Sequence, residues 1–340
     1  MRLLVTGGCG FIGTNFIYLM LERHPDWAIY NLDKLTYAGN RKNLLPVEQG
    51  PDKDRYHFLH GDICDRDYVE QILRDHHIDA VVNFAAESHV DRSINDPSPF
   101  VTTNVQGAQN LFECARQTGI GRFVHVSTDE VYGTLGPEGK FMESTPLAPN
   151  SPYSASKAGA DLMARAYFET YGLPVVITRC SNNYGPYQFP EKLIPLMFQN
   201  AKANKSLPVY GDGMNIRDWI YVDDHCTGVE LALLKGREGQ AYNFGGNAEK
   251  PNIEVVKTIL AALDKPESLI TYVKDRPGHD KRYAMDFSLA HSELSFSPSL
   301  DFTEGIRKTL EWYEANTEWL EDVQSGAYRE FMQEWYKERK

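Results

Sequence analysis

The chain has 340 residues, 42% hydrophobic and 24% charged, a globular mix long enough for one large or two modest domains. Its formal net charge of -12 argues against a general nucleic-acid binder, so an anionic ligand would need cations gathered locally. No basic leader opens the chain and no apolar run approaches a membrane span, while the five scattered cysteines (Cys9, Cys64, Cys114, Cys180, Cys226) lack metal spacing and read as reduced thiols of a cytoplasmic protein without a metal site.

Arg2 to Thr6 is a short apolar strand, followed at once by Gly7-Gly8-Cys9-Gly10-Phe11-Ile12-Gly13. This run satisfies both G-x-x-G-x-x-G and G-x-G-x-x-G, and Phe11 to Arg23 continues with helical apolar spacing. A lone glycine cluster is often a plain turn. Here the strand before it and the helix after it supply the context of a dinucleotide site, with the pyrophosphate on the helix N-terminus. The second strand, Ala28 to Leu32, ends at Asp33, 20 residues beyond Gly13, where a carboxylate is expected on a ribose 2′-hydroxyl. A carboxylate there repels a 2′-phosphate, which favours NAD over NADP; Lys34 beside it reads as a solvated side chain. The third strand, Tyr56 to His60, runs into Asp62 and Ile63. Asp62 could take an adenine amino group with Ile63 over the ring, or could cap the next helix.

Ala80 to Phe84 is a buried strand with Ala85-Ala86-Glu87-Ser88-His89 as its outgoing loop, whose small residues let backbone approach a cofactor. Pro97 to Thr118 reads as one long helix, with Thr103 and Asn104 near its start. Phe123 to Val126 is another buried strand, and it delivers Ser127-Thr128-Asp129-Glu130-Val131-Tyr132-Gly133 at its carboxyl end, where ligands bind in open α/β sheets. Adjacent carboxylates repel, so one can be held protonated while the other ionises. An Asp-Glu pair is otherwise usually a solvated turn. Tyr153 and Lys157 lie one helical turn apart in Pro152-Tyr153-Ser154-Ala155-Ser156-Lys157, and the ammonium is expected to lower the phenol pKa. Alanines 158, 160, 164 and 166 make a small helical face suited to a homodimer through a four-helix bundle shared with the 97–118 helix. Repeated strand–helix units mean a doubly wound parallel sheet.

The glycine fingerprint, the Ser/Thr after the catalytic strand and Tyr-x-x-x-Lys together resemble the extended short-chain dehydrogenase/reductase superfamily. Within it, residues 127–133 resemble the dTDP-glucose 4,6-dehydratases; related epimerases lack the acidic pair, and GDP-mannose dehydratases carry the Glu without the Asp. The resemblance spans essentially the whole chain and includes residues 85–91, 181–193 and 275–280. Cys9 stands where the family usually has alanine, a change expected to be silent.

The resemblance implies an α/β fold: a Rossmann-type NAD-binding domain over residues 1–180 and a smaller, predominantly sugar-nucleotide-binding α/β region over 181–340, with some chain returning to the first domain. It implies NAD on Gly7, Gly10, Phe11, Ile12, Gly13, Asp33, Lys34, Leu35, Thr36, Asp62, Ile63, Ala85, Ala86, Ser88, Thr103, Tyr153, Lys157 and Asn183. The substrate dTDP-glucose would meet His89, Thr128, Asp129, Glu130, Asn182, Lys192, Leu193, Pro208, Val209, Tyr210, Arg217, Asn252, Arg276 and His279. The two arginines are the diphosphate contacts, suited to bidentate bonding. Tyr153 with Lys157 would take the 4-hydroxyl proton, Glu130 the C5 proton, and Asp129 would protonate the leaving 6-hydroxyl. Trp312, Trp319 and Trp335 in the tail read as packing against the body. The competing readings are a nucleotide-sugar 4-epimerase, which needs no acid/base pair, and an NAD-binding sensor or scaffold, which needs neither that pair nor Thr128, Tyr153 and Lys157 together.

Overall fold

The computed structural model describes residues 1–323. Twelve strands are present among them: β1 Arg2–Thr6, β2 Ala28–Asp33, β3 Tyr56–His60, β4 Ala80–Asn83, β5 Arg122–Thr128, β6 Val175–Cys180, β7 Asn182–Tyr184, β8 Leu207–Tyr210, β9 Ile216–Tyr221, β10 Ala241–Phe244, β11 Glu249–Pro251 and β12 Ile270–Val273. Seven form one parallel sheet in the order β10-β6-β5-β4-β1-β2-β3. The order reverses between β1 and β4, which opens a crevice at their carboxyl ends. The fingerprint loop leaves one of these strands and the 85–89 loop leaves the other.

The central strands read as unbroken apolar runs because both faces are covered. On one face, Leu4, Val81 and Phe123 pack with Phe112 and Ala164 from helices Ala108–Thr118 and Pro152–Tyr171. On the other, Val5, Val82 and Val124 meet Phe16 and Ile17 of helix Phe11–Arg23 and Val229 of helix Val222–Lys235. Full burial of each such side chain contributes roughly 1.5–3 kcal/mol. Helix Val222–Lys235 and strand β10 therefore come from the second half of the chain and complete the first sheet.

The smaller region carries the three-stranded sheet β11-β9-β7 and the pair β12-β8, around a separate core of Phe198, Trp219, Ile259 and Tyr313. Trp312 and Trp319 are half-buried and pack on Tyr187; Trp335 lies outside the described residues.

Two helices place the site. Helix Pro152–Tyr171 begins where it must: Ser151 and Ser154 form a reciprocal capping box, Pro152 sits where no amide is needed, and Gly172 ends the helix at φ 69°. The stretch predicted as one helix over 97–118 is helical throughout, but Val101–Gly107 is wound as a π-helix between Ser98–Phe100 and Ala108–Thr118. The wider turn carries the buried Asn104. Its amide donates to the Glu87 carbonyl (2.9 Å) and Ser156 Oγ (2.8 Å), and its Oδ1 accepts from the Glu87 amide (2.8 Å). The local distortion thus clips the 85–89 loop to the helix bearing Tyr153 and Lys157.

Candidate active site

The fingerprint loop folds as a cradle. Gly7 has φ 70°, and a Cβ there would lie 2.7 Å from the Ala85 backbone; one on Gly13 would lie 2.5 Å from the Gly7 carbonyl oxygen. No side chain caps helix Phe11–Arg23, so its first amides remain directed at the crevice. Asp33 closes the loop from β2: Oδ2 accepts from the Cys9 amide and Oδ1 from the Leu35 amide, both at 2.8 Å. Gly7, Gly10, Phe11, Ile12, Gly13, Asp33, Lys34, Thr36, Asp62, Ile63, Ala85, Ala86, Ser88, Thr103, Tyr153, Lys157 and Asn183 all line one cavity of about 310 Å³. This unhindered backbone cradle, with a carboxylate at the end of β2, fits a dinucleotide.

Three local expectations are decided differently or more sharply. Lys34 is paired with Asp62 at 2.7 Å rather than merely solvated. Asp62 does not cap the next helix; Asp65 does, accepting from the Tyr68 amide, and Asp62 faces the cavity. Leu35 lies outside the lining. It takes φ 55° in the turn after β2, and its side chain packs against the core under the sheet.

Across the same cavity stand Thr128, Asp129, Glu130, Asn182 and Lys192. Thr128 caps the short turn Asp129–Tyr132, accepting from the Glu130 amide at 3.3 Å and donating to Asp129 Oδ1 at 3.2 Å. Asp129 is 1% exposed, and its Oδ2 has no hydrogen-bond partner among the described residues. Burial and the Glu130 charge push its carboxyl well above the ordinary range, against a smaller opposing pull from Arg217. Burial also raises Glu130, but Arg276, Arg217 and Lys192 all oppose it. The pair is therefore asymmetric: Asp129 is the one that keeps a proton.

Tyr153 and Lys157 are buried on one face of their helix. The expected lowering of the phenol pKa is not found. Burial, Glu130, Cys180 and Asp129 all push it up, against a smaller opposing pull from the Thr128 hydroxyl. The Lys157 ammonium donates to the Val126 carbonyl at 2.7 Å, and burial lowers its own pKa while Asp161 raises it. Without ligand, Tyr153 is a phenol.

The remaining candidates lie outside the lining of that cavity. Arg217 stacks on the Tyr283 ring at 4.3 Å and donates to the Asp280 carbonyl at 2.9 Å. Arg276 Nη1 reaches Asp91 Oδ1 at 3.2 Å, and the Tyr210 hydroxyl donates to Asp91 Oδ2 at 3.0 Å. His279 lies near Tyr210, with ring centroids 6.0 Å apart, and its Nδ1 is 2.6 Å from Asp275. Pro208 stands on β8 with Tyr210, and Asn252 opens helix Asn252–Ala262. Val209 and Leu193 instead turn their side chains into the second core, following strand alternation and the buried helix face. His89 lies outside the lining too: it caps helix Val90–Asn95, its Nδ1 accepting from the Arg92 amide, and burial holds its ring neutral.

Two residues were not singled out in the sequence. Glu191 lines the cavity, accepts from the Tyr37 hydroxyl at 3.1 Å, and lies 3.5 Å from Arg92 Nε. Tyr283 donates to Asp280 at 2.6 Å beneath Arg217. Glu191 is adjacent to Lys192 within the quoted 181–193 stretch, a signal that was available; Tyr283 is one tyrosine among many until the arginine is seen on it.

The family model for GDP-mannose 4,6 dehydratase matches residues 4–309. The dTDP-glucose 4,6-dehydratase of Xanthomonas campestris pv. campestris (strain B100) is 53% identical, over 96% of this chain and 97% of that protein. The dTDP-glucose 4,6-dehydratase 1 of Escherichia coli K12 is 48% identical over the full length of both. The chain belongs to the dTDP-glucose 4,6-dehydratase family. Its fold is similar to the crystal structure of the dTDP-glucose 4,6-dehydratase from Streptomyces venezuelae with NAD and TYD bound: TM-score 0.91 and 52% identity, over 95% of this chain and 100% of that one. A UDP-glucose 4-epimerase from Thermus thermophilus in complex with NAD is more distant, at 30% identity and TM-score 0.85 over 93% of this chain and 100% of that one.

The raised pKa of Asp129 has a stability consequence. The folded protein holds a proton there that the unfolded chain gives up near its ordinary value of about 4. Stability therefore falls as pH rises from that value towards the raised one. Asp129→Asn carries no such penalty, so its melting temperature relative to the parent is expected to increase between pH 4.5 and pH 8, measured by scanning fluorimetry without ligands. An equal difference at both pH values would contradict the assignment.

Proposed function

We propose that this chain converts dTDP-glucose to dTDP-4-keto-6-deoxyglucose and water, with NAD as a regenerated cofactor. The observation that carries the reading is the acid–base pair Asp129–Glu130, unequal in proton affinity, on the same cavity as Tyr153 and Lys157. NAD, when bound, would supply a reversible hydride carrier, taking the hydride from C4 and giving it back at C6, and a positive ring charge that favours the Tyr153 phenolate. Tyr153 takes the proton of the sugar 4-hydroxyl, and the Thr128 hydroxyl bonds the C4 oxygen. Oxidation at C4 makes the C5 proton acidic. Glu130, kept ionisable by Arg276, Arg217 and Lys192, removes that proton. Asp129 protonates the leaving 6-hydroxyl, and Glu130 later returns a proton to C5. The cradle of Gly7, Gly10 and Gly13 would hold the cofactor pyrophosphate. Arg217 and Arg276 would hold the diphosphate of the substrate.

A 4-epimerase shares the first oxidation but has no step for a protonated second acid, so the Asp129–Glu130 arrangement weighs against it. We place the protein in the cytoplasm, in line with its free cysteines. We also read it as a homodimer. Helices Ala108–Thr118 and Pro152–Tyr171 lie side by side, and Val101 on the π-wound turn that leads into the first (56% exposed) and Leu162 on the second (57% exposed) are unusually open for apolar side chains. Leu162→Glu is expected to halve the mass measured by light scattering; an unchanged mass would remove that face as the interface.

Incubation with dTDP-glucose is expected to give a product lighter by one water, with a new C6 methyl by NMR and no net NADH. Unchanged mass with inverted C4 would mean an epimerase. In rapid-quench experiments Asp129→Asn should slow water loss by about 10²–10⁴-fold while C4 oxidation is largely kept. Equal losses in both steps would contradict the role given to Asp129.

A further inference from the structure

The helix Thr317–Val323 lies far from the reacting groups in the chain, yet one of its side chains meets both Asn43, which bonds the fingerprint loop, and Tyr187, which precedes the cavity-lining Gln188 and Phe189. The Trp319 indole Nε1 donates to Asn43 Oδ1 at 2.7 Å, across 276 positions of sequence. Asn43 is 3% exposed, and its side-chain amide donates to the Cys9 carbonyl and to Thr14 Oγ1, each at 3.2 Å. Cys9 lies in the middle of the fingerprint loop, with its amide on Asp33. An indole in the second half of the chain thus fixes the amide that fixes the phosphate cradle. Lys42 pairs with Asp322 on the same helix, so the junction has a second tie.

The other side of the indole meets Tyr187. The Trp319 and Tyr187 ring centroids are 5.9 Å apart at 82°, and Trp312 lies 4.7 Å from the same tyrosine. Tyr18, from the helix that follows the cradle, stacks on Tyr187 at 6.1 Å and donates its hydroxyl to the Asn43 carbonyl at 2.8 Å. Tyr187 has φ 65°, a left-handed conformation that a bulky residue adopts only when its surroundings hold it there. The next residues, Gln188 and Phe189, line the cavity, and the Gln188 amide donates to the Asn183 carbonyl at 2.8 Å. Tyr313, from helix Phe302–Ala315, donates to the Gln188 carbonyl at 3.0 Å.

We propose that Trp319 is a positioning residue for this reaction, joining the dinucleotide cradle through Asn43 to the sugar-facing loop through Tyr187, so that the two ligands are held in register. Its two functions are chemically separable. The N–H serves the cradle; the ring serves the loop. The inference rests on the NAD and dTDP-glucose reading above.

The test uses the full chain with Trp319→Phe and Trp319→Ala. Phenylalanine keeps aromatic packing and loses the donor. It is expected to raise the NAD dissociation constant about fivefold, the effect of one net hydrogen bond, measured by titration calorimetry, while the KM for dTDP-glucose at saturating NAD stays within about twofold. Alanine loses both contacts and is expected to raise the KM as well and to lower kcat at saturation severalfold, because the bound ligands lose their register. Parent-like NAD affinity in Trp319→Phe would overturn the proposal, even if Trp319→Ala proves too unstable to purify. Altered melting temperatures with both constants unchanged would also overturn it, leaving packing alone. The parent enzyme in the same assay separates this failure from a failure of the functional reading: parent protein that turns over no dTDP-glucose sinks the latter, while the NAD titration still decides the former.

Discussion

The structure depends on keeping two adjacent carboxylates in a space from which water is largely removed. Asp129 and Glu130 both resist ionisation there, and the repulsion between them adds to the cost. What makes the pair tolerable is its surroundings rather than its sequence. Arg217, Arg276 and Lys192 favour the charge on Glu130, and Asp129, deeper and with one oxygen unpaired, keeps its proton. An acid and a base are thereby obtained from neighbouring residues of nearly the same chemistry. The acidic chain concentrates cations at this one place in spite of its net charge of -12.

A second layer of buried polar groups keeps the site rigid. Asp161, one turn beyond Lys157, accepts from Arg179 Nε at 2.8 Å. Arg179 donates to the Tyr132 hydroxyl at 2.7 Å, and Tyr132 donates to Asn243 Oδ1 at 2.8 Å. These bonds run from the helix bearing Tyr153 and Lys157 through β6 and the turn after β5 to β10. A buried ion pair is a weak source of net stability, but removing one partner is severe, so such a chain holds geometry. Asn104 does the equivalent work for the 85–89 loop, and the π-wound turn is what lets its amide reach both the loop backbone and Ser156.

Much of the first half was legible in order. The strands Arg2–Thr6, Ala28–Asp33 and Tyr56–His60 and the helix Phe11–Arg23 fall where apolar runs and helical spacing indicate. A parallel strand buried on both faces has to be apolar, and a phosphate cradle has to be glycine, because a Cβ at Gly7 would meet the Ala85 backbone. The second half was less legible. Its candidate site residues come from loops, strand ends and helix starts, where no periodicity singles out a residue. Val209 and Leu193 illustrate the difficulty: Lys192 lines the cavity, but the side chain of Leu193 beside it, like that of Val209, belongs to the core.

By itself, the sequence determined which chemistry was present: a glycine-rich turn between strand and helix, a hydroxyl and two acids at a strand end, and Tyr153 with Lys157 one turn apart. These are local patterns, set by backbone geometry over a few residues. Only the tertiary structure decided how the groups behave. The phenol of Tyr153 is pushed up rather than down, because burial and two carboxylates outweigh the Thr128 hydroxyl, while the Lys157 ammonium is committed to the Val126 carbonyl. His89 is a neutral cap, and Asp62 is a cavity residue while Asp65 caps its helix. Proton affinity depends on every charge and dipole within several ångströms and on the removal of water. Those neighbours are assembled from segments as far apart in the chain as His89 and Arg276, so no local reading of the chain contains them.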